Sequence, residues 1–366
     1  MALVTPSSAN LESIETSAKL IHTQPVCEGI NVVKYSYNKL SFNTFMLSQN
    51  SSTSSLFSFV MADKGGRRTT AFLNKMNELV PWKEIGETLA PALYDGHIGR
   101  PGFPVHTLIK ALFLELWYGL SDPELEEQIL DRVSFQRFLE VKDRSDIPDE
   151  TTICRFRNKL SKLHAEKELF KAVQDMIDDN GLRINCGTIV DATIIDAPKG
   201  RKRKDNTNTR DKDAGFTKKN GKCFHGYKIH TGDDIKGHFI EKIIITSASI
   251  PDGKVFDDLT KDEKKAAFGD KAYINKEKKR EFRRRGIFWG ILDRAGSGHP
   301  LSNKQKKDNR QKTSVRSMVE HPFAWIKRTM NFRRVRFRGL RKNTFHLTLI
   351  CTAYNLKRMF SILSTS

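Results

Sequence analysis

The strongest constraint on the fold is a change of pattern near residue 187. From about residue 70 to 180 the chain is predicted to be helical, whereas after 187 short β-branched runs alternate with charged helical segments. The predicted strands are Gly187–Ile195, Gly226–Gly232, His238–Ala248, Ala267–Asp270 and Ile287–Leu292. Helices are predicted between the later strands, at Val255–Ala267 and Asn275–Arg285. Strands that alternate with helices predict an α/β class for this half of the chain.

The helical part contains several helix-boundary signals. The predicted helices are Val105–Gly119, one opened by the S-x-x-E capping box at Ser121–Glu124, one that begins near Asp149, and Leu163–Asn180. Short helices with Arg155, Arg157 and Lys159 exposed suit a module that binds DNA or dimerises. A helical cap with a solvated basic face fits the same pattern equally well.

Residues 1–60 differ in composition from the rest of the chain. They contain three acidic and three basic residues, so the whole net charge of +20 belongs to residues 61–366. The segment lacks the basic start and apolar core of a secretory signal, and it lacks the arginines of a mitochondrial-type leader. We expect it to be a disordered or spurious extension, with Met61 as the natural start of translation.

The positive charge indicates a polyanionic partner. A net charge of +20 favours nucleic acid, with an anionic membrane surface as the rival partner. No stretch approaches the roughly 20 apolar residues of a transmembrane helix, so we expect no membrane span. The five cysteines are scattered and odd in number, which favours a reducing compartment over a disulfide framework or a zinc site.

Three acidic residues occupy positions typical of a metal-dependent nuclease site. Asp191 lies in the run TIVDATIID and Asp270 closes AAFGD, so both are expected at strand ends. Glu320 is expected on a helix, with Arg316 and Lys327 on the same face. Each acid alone is more often a turn, cap or surface residue. Together, in a basic chain, they provide oxygen ligands for the divalent cations that cut phosphodiesters.

Six segments, in order along the chain, carry a family resemblance. They are PDETTICRFRNKL at 148–160, VDAT at 190–193, DKDAGFTKKNGK at 211–222, GYKIH at 226–230, GDKAY at 269–273 and RSMVEHPFAWIK at 316–327. Over about residues 70–360 the sequence resembles the bacterial insertion-sequence DDE transposases of the IS-five group. Arg316, Glu320 and Lys327 match the family signature Y-x(2)-R-x(3)-E-x(6)-K, whereas Thr313 stands in place of the tyrosine.

The resemblance implies a fold and a set of domains. The implied fold is an RNase H-like mixed sheet flanked by helices, preceded by an all-helical domain and the N-terminal extension. The extension would cover residues 1–60, and the helical domain for DNA binding or dimerisation residues 61–180. Residues 181–362 would then form the catalytic domain.

The resemblance also implies an activity. Asp191, Asp270 and Glu320 would be the catalytic residues and would hold two Mg²⁺ (or Mn²⁺) ions per active site. The enzyme would bind the terminal inverted repeats of its own element as a homo-oligomer, cleave the element ends, and join the 3′-hydroxyls to double-stranded target DNA. It would act in the bacterial cytoplasm, associated with the nucleoid.

Basic residues that follow Glu320 are the main candidates for DNA contact. The segment Arg328–Lys342 has seven basic residues and no acid in fifteen positions, with Phe332 and Phe337 interleaved. Cations without neighbouring acids favour phosphate contact, while Phe337 is either a platform for an unpaired base or a core residue. The predicted DNA-binding residues are Arg316, Lys327, Arg328, Arg333, Arg334, Arg336, Arg338, Lys228, Arg155 and Arg157.

Two other interpretations stay open from the sequence. A catalytically silent, transposase-derived DNA-binding protein would keep the fold without cutting DNA. A nuclease would cut without joining. The intact acids and flanking cations favour an active transposase, and a Mg²⁺-dependent assay with labelled element ends separates joining, nicking and binding alone.

Overall fold

The computed structural model describes residues 68–94, 102–201, 209–219, 221–296, 298–317 and 320–364. The predictions for residues 1–60 and for Met61 as the start lie outside these residues. The side chains at 68–69 and 320–321 are not described either. All described residues belong to one compact unit of the chain.

The described chain begins with helices. They are α1 Arg68–Leu79, α2 Trp82–Leu93, α3 Val105–Tyr118, α4 Asp122–Asp131, α5 Val133–Leu139, α6 Glu150–Lys162 and α7 Glu166–Asp179. α3 ends at Gly119, which has the left-handed φ of 68° that glycine adopts without steric cost. The predicted capping box opens α4, where the Ser121 N–H donates to the Glu124 carboxylate at 2.7 Å. Asp149 caps α6, so these predicted helix boundaries are confirmed.

A mixed sheet follows the helices. Its strands are β1 Thr188–Asp196, β2 Gly215–Lys219, β3 Lys222–Asp234, β4 Ile240–Ser247, β5 Ala266–Gly269 and β6 Phe288–Ile291. The order is β2-β3-β1-β5-β6, with β4 also paired to β3. β1 is antiparallel to β3 and parallel to β5, and β5 is parallel to β6. The series β4-β3-β1-β5-β6 is the predicted RNase H-like arrangement, to which β2 adds a hairpin.

Further helices lie between and after the later strands. They are α8 Phe256–Thr260, α9 Lys276–Arg284, α10 Asn303–Arg316, α11 Glu320–Arg328 and α12 Leu340–Leu363. The helix predicted at Val255–Ala267 is wrong in extent, because α8 has only five residues. After α8, the Glu263 carboxylate accepts from the N–H groups of Lys265 and Ala266, which removes these donors from a helical ladder.

The two faces of the sheet are covered by different helices. Val190 packs with Phe256 and Phe282, which belong to α8 and α9. Its neighbour Ile189 lies on the other face, in a larger cluster that contains Phe323 of α11. Because alternate residues of a strand point to opposite faces, Asp191 lies on the same face as Ile189, towards α11.

The long helix α12 joins the sheet to the N-terminal helices. It is buried along most of its 24 residues and packs against β4, α7, α6 and α3. Asn355 bonds to both backbone groups of Ile240 in β4, at 2.9 Å from the N–H and 2.8 Å to the carbonyl. The helical part and the sheet therefore share one core, and the domain boundary near residue 180 stays a prediction.

Candidate active site

Asp191 and Asp270 lie side by side at the ends of two parallel strands. Val190 of β1 is paired with Gly269 of β5, so the next residue on each strand is one of the two aspartates. β5 ends there, and Asp270 caps the short 3₁₀ helix Lys271–Tyr273. β1 continues to Asp196 along β3. The carboxyl end of the parallel strands thus places both predicted acids together.

Both carboxylates are held in the same way. One oxygen of each accepts from the backbone N–H of the following residue, at 2.8 Å for Ala192 and 2.5 Å for Lys271. The other oxygen of each is 3.9 Å from the same atom, Nη2 of Arg316. The two Oδ2 atoms therefore lie within twice that distance of each other. A separation of 3.9 Å is too long for a hydrogen bond, so Arg316 balances charge without fixing either carboxylate.

Burial disfavours the ionised form of the Asp191 side chain. Its side chain is 19% exposed, compared with 41% for Asp270. Burial raises the pKa of Asp191, the Ala192 N–H and the Arg316 and Lys219 charges lower it, and the Asp270 charge raises it. A cation between the two aspartates would favour their ionised forms.

Glu320 is the first residue of α11, and its side chain lies outside the described residues. Its predicted role therefore stays a prediction. We expected one helix to carry Arg316, Glu320 and Lys327. The structure has two helices here, since α10 ends at Arg316 and α11 begins at Glu320. Arg316 reaches the aspartates from the end of α10, and not from one face of a helix that it shares with Glu320.

The aspartates suit a hard divalent cation. Within the described ranges, no group of three or more His, Cys, Asp or Glu side chains is arranged to hold a metal ion. The Asp191 and Asp270 pair offers carboxylate oxygens only, which are the ligands that Mg²⁺ and Mn²⁺ prefer. Their free oxygens already converge on a positive charge, the Arg316 guanidinium. The donor set fits such an ion, with further ligands still required.

Comparison with known families decides the class of protein. A family model described as Transposase DDE domain matches residues 183–356, which contain both aspartates and Glu320. A second, described as Transposase domain (DUF772), matches residues 62–159. The chain belongs to the insertion-sequence DDE transposases. The DDE domain makes the protein an enzyme that cleaves DNA and transfers DNA strands, so DNA is its partner. No solved structure matches the chain.

The family match sets the context for the remaining predictions. Transposases of this type generally use divalent metal ions, in agreement with the oxygen donors of the site. Membership of the IS-five group stays a prediction. Of the transposase helices in the described part of the chain, none is long and apolar enough to cross a membrane.

The basic segment after α11 lies against the end of β1. The Asp196 N–H donates to the Arg333 carbonyl at 3.1 Å, and the Val335 N–H donates back to the Asp196 carbonyl at 2.8 Å. This backbone bridge places the segment beside the strand that carries Asp191. The exposed basic residues of the transposase between Arg328 and Lys342 are Arg328, Arg333, Arg334, Arg336, Arg338 and Lys342.

Two predicted DNA-binding residues have buried and paired side chains, and their contact with DNA stays a prediction. Arg157, expected to be exposed, donates to the Asp122 carboxylate and, at 2.7 Å, to Glu115. Lys228 is buried too, and its Nζ donates to the Asp252 carboxylate at 2.8 Å. Their donors are satisfied inside the transposase.

Three other basic residues differ in their surroundings. Arg336 donates to Glu115 at 3.1 Å and to the Gly119 and Leu120 carbonyls, so it ties the basic segment to the helical part. Lys159 is half-buried and donates to the Leu93 carbonyl. Arg155 is exposed, as predicted.

The aromatic residues of the basic segment pack inward. Phe332 is buried, with its ring 5.2 Å from that of His346. Phe337 makes an edge contact with His346, with ring centroids 5.0 Å apart, and lies 5.6 Å from the Arg157 guanidinium. Phe332 is therefore a core residue, whereas Phe337 is half-buried against His346 and Arg157.

Sequence reasoning missed two residues near the site. Lys219 of β2 lies close enough for its charge to lower the pKa of Asp191. Asp233 of β3 is fully buried on the same face as Asp191, and neither of its oxygens has a hydrogen-bond partner that meets normal geometry among the described residues. Burial raises the pKa of Asp233 far above its usual range, while the Thr231 hydroxyl lowers it and the Asp191 charge raises it. The one available sequence signal for Asp233 was the alternation of strand residues, which puts Asp233 on the same face as Thr231 and Asp191.

Proposed function

We propose that this transposase binds the terminal inverted repeats of its own insertion sequence, cleaves the element ends, and joins their 3′-hydroxyls to target DNA. The convergence of Asp191 and Asp270 on Arg316 carries the proposal, because it puts two carboxylates at one point of a DNA-cleaving domain. We further propose that it acts as a homo-oligomer in the bacterial cytoplasm, at the nucleoid.

Asp191, Asp270 and Glu320 are the residues proposed to hold two Mg²⁺ or Mn²⁺ ions. Asp191 suits a bridging position, because it lies on the central strand of the sheet. When bound, the two ions would activate the attacking oxygen and stabilise the leaving oxygen. Burial raises the pKa of Asp191, and a bound cation would oppose that rise by favouring the ionised carboxylate.

Arg316 is proposed to serve the site both before and during DNA binding. Without other cations, its positive charge reduces the repulsion between the Asp191 and Asp270 carboxylates. One oxygen of each lies 3.9 Å from the Nη2 atom. Its Nε atom is buried and has no hydrogen-bond partner among the described residues, so few bonds oppose a movement of the guanidinium. A planar guanidinium can donate two parallel bonds to a phosphate.

The path of the DNA is proposed to follow the exposed arginines. Arg328, Arg333, Arg334 and Arg338 are exposed, Arg333 and Arg334 lie beside the end of β1, and all four would contact phosphates. Lys327 is half-buried, and burial followed by the charge of Lys219 lowers its pKa. It would bind a phosphate beside the cut, and the exposed Arg155 is a further proposed contact.

The experiment combines labelled element ends, a target plasmid and Mg²⁺ with the full-length protein. We expect joined products from the wild type and none from Asp191→Asn or Asp270→Asn, while both variants still bind DNA. Asp196→Asn is the matched control, because Asp196 lies on β1 but beyond the converging oxygens. Nicks without joining would indicate a nuclease, and binding alone a catalytically silent protein. Cleavage by Asp191→Asn would contradict the metal assignment.

A further inference from the structure

The β2–β3 hairpin extends beyond the strand that carries the active site. β1 ends at Asp196, which pairs with Gly226, and the Ala197 N–H still donates to the His225 carbonyl at 2.7 Å, so β3 residues 222–224 pair only with β2. Within the described sheet β2 has no other strand partner. The hairpin is therefore an addition to the five-strand RNase H-like order, and neither the sheet nor the aspartate pair requires it.

The acids at the base of the hairpin are used inside the protein. Asp211 is buried and accepts from the Tyr227 hydroxyl at 2.7 Å and from the Gly339 N–H at 2.9 Å. Asp213 accepts from the Leu340 N–H at 2.8 Å, at the start of α12. These bonds fix the base of the hairpin against α12.

The cations of the hairpin face the solvent. Lys218, Lys219 and Lys222 are exposed, and none of the three forms an ion pair with a residue in the described ranges. Several unpaired cations close together attract a polyanion.

Phe216 adds an exposed aromatic ring to this surface. The ring is 52% exposed, although it belongs to a large apolar side chain. It lies opposite His225 in the strand register, with ring centroids 4.7 Å apart, and the Arg210 guanidinium lies 5.0 Å from its centroid. Phe216 and Lys218 share one face of β2, since they are two residues apart. A supported ring beside a lysine is a combination found in single-strand binding sites.

We propose that the β2–β3 hairpin binds unpaired nucleotides at a DNA end, with a base stacked on Phe216 and a phosphate held by Lys218. A paired base inside a duplex has both faces covered by its neighbours, so the ring can stack only on a base that is free of the duplex. The proposal rests on the proposed function, since that reaction exposes DNA ends to this surface.

The test measures binding of full-length protein to two fluorescent DNAs by anisotropy. One is a blunt duplex with the element end, and the other is the same duplex with a short single-stranded extension. We expect the wild type to prefer the extended DNA, and Phe216→Ala to bind that DNA about 5- to 100-fold more weakly with the blunt duplex little affected. Phe216→Trp should keep the preference. Phe288→Ala is the matched control, since Phe288 is 45% exposed on β6, at the other end of the sheet order.

The outcomes separate this inference from the proposed reaction. Equal loss of affinity for both DNAs in Phe216→Ala, or no loss, overturns the hairpin site. A change in sedimentation of Phe216→Ala without a change in DNA preference also overturns it, and indicates contact between two copies instead. A selective loss in a protein that never cleaves element ends supports the hairpin site and overturns the proposed reaction alone.

Discussion

Replacement of Arg157 by alanine tests whether this residue stabilises the fold or binds DNA. Its side chain is 6% exposed and donates to Asp122 and Glu115, which are 22% and 3% exposed. Loss of one partner of a buried ion pair costs about 3–5 kcal/mol, because the other charge remains buried. Arg336 stays 3.1 Å from Glu115, and water reaches Asp122, so we expect the lower end, about 3 kcal/mol.

The assay is urea unfolding of the Arg157→Ala and Arg155→Ala proteins. Arg155 is exposed on the same helix, so its replacement should change the free energy of unfolding by less than about 0.5 kcal/mol. A stable Arg157→Ala protein that binds DNA more weakly and with a smaller salt dependence would refute the structural role and restore the DNA-contact interpretation.

The same variant should show a pH dependence with a definite sign. Burial raises the pKa of Glu115, and the Arg157 charge opposes that rise. Without Arg157 the folded-state pKa rises further above the unfolded value. The folded protein then binds a proton more tightly than the unfolded chain does, so stability is retained at low pH and lost as pH rises through the folded-state pKa. Arg157→Ala should therefore lower the free energy of unfolding by more at neutral pH than in mild acid.

Three further predictions concern DNA affinity, the core and pH. Arg333→Ala and Arg334→Ala should each lower the salt slope of DNA binding by about 1, whereas the exposed Arg280→Ala should not; equal slopes would exclude phosphate contacts by the pair. Asn355→Ala should lower the free energy of unfolding by about 2 kcal/mol, because the Ile240 N–H loses its buried acceptor, while the Ile240 carbonyl keeps the Gln174 amide as donor; an unchanged urea midpoint would contradict this. Burial lowers the pKa of His230 to about 4, so its contribution to stability should fall by about 2 kcal/mol from pH 7 to pH 5, as the unfolded chain binds a proton there; His230→Asn should abolish that part of the slope.

Five of the six strands were predictable because each has a local signature, whereas β2 was missed and the order of the sheet came from the family resemblance. The run around Asp191 is β-branched and almost unbroken, as expected of a central strand that is covered on both faces. Asp270 follows a short apolar strand in the same way, and parallel strands bring their carboxyl ends together. The strand-end positions of both aspartates could therefore be predicted from the sequence, whereas their catalytic role came from the family resemblance and stays a prediction.

The errors come from partners that are distant in sequence. Arg157 has the appearance of a surface cation, but its carboxylate partners lie 35 and 42 residues earlier in the chain. The extent of α8 depends on Glu263, whose side chain replaces the next helical turn. α12 lacks a polar face because it is buried nearly all round, so periodicity gave no signal for it. Long-range pairing of this kind leaves no local pattern.

Binding of Mn²⁺ to the full-length protein, measured by calorimetry without DNA, tests the central claim most directly. We expect Asp191→Asn and Asp270→Asn to weaken binding by about 100-fold or more, since each removes a carboxylate from the converging pair. Asp196→Asn should bind Mn²⁺ as the wild type does. Equal affinity in all four proteins would contradict the account.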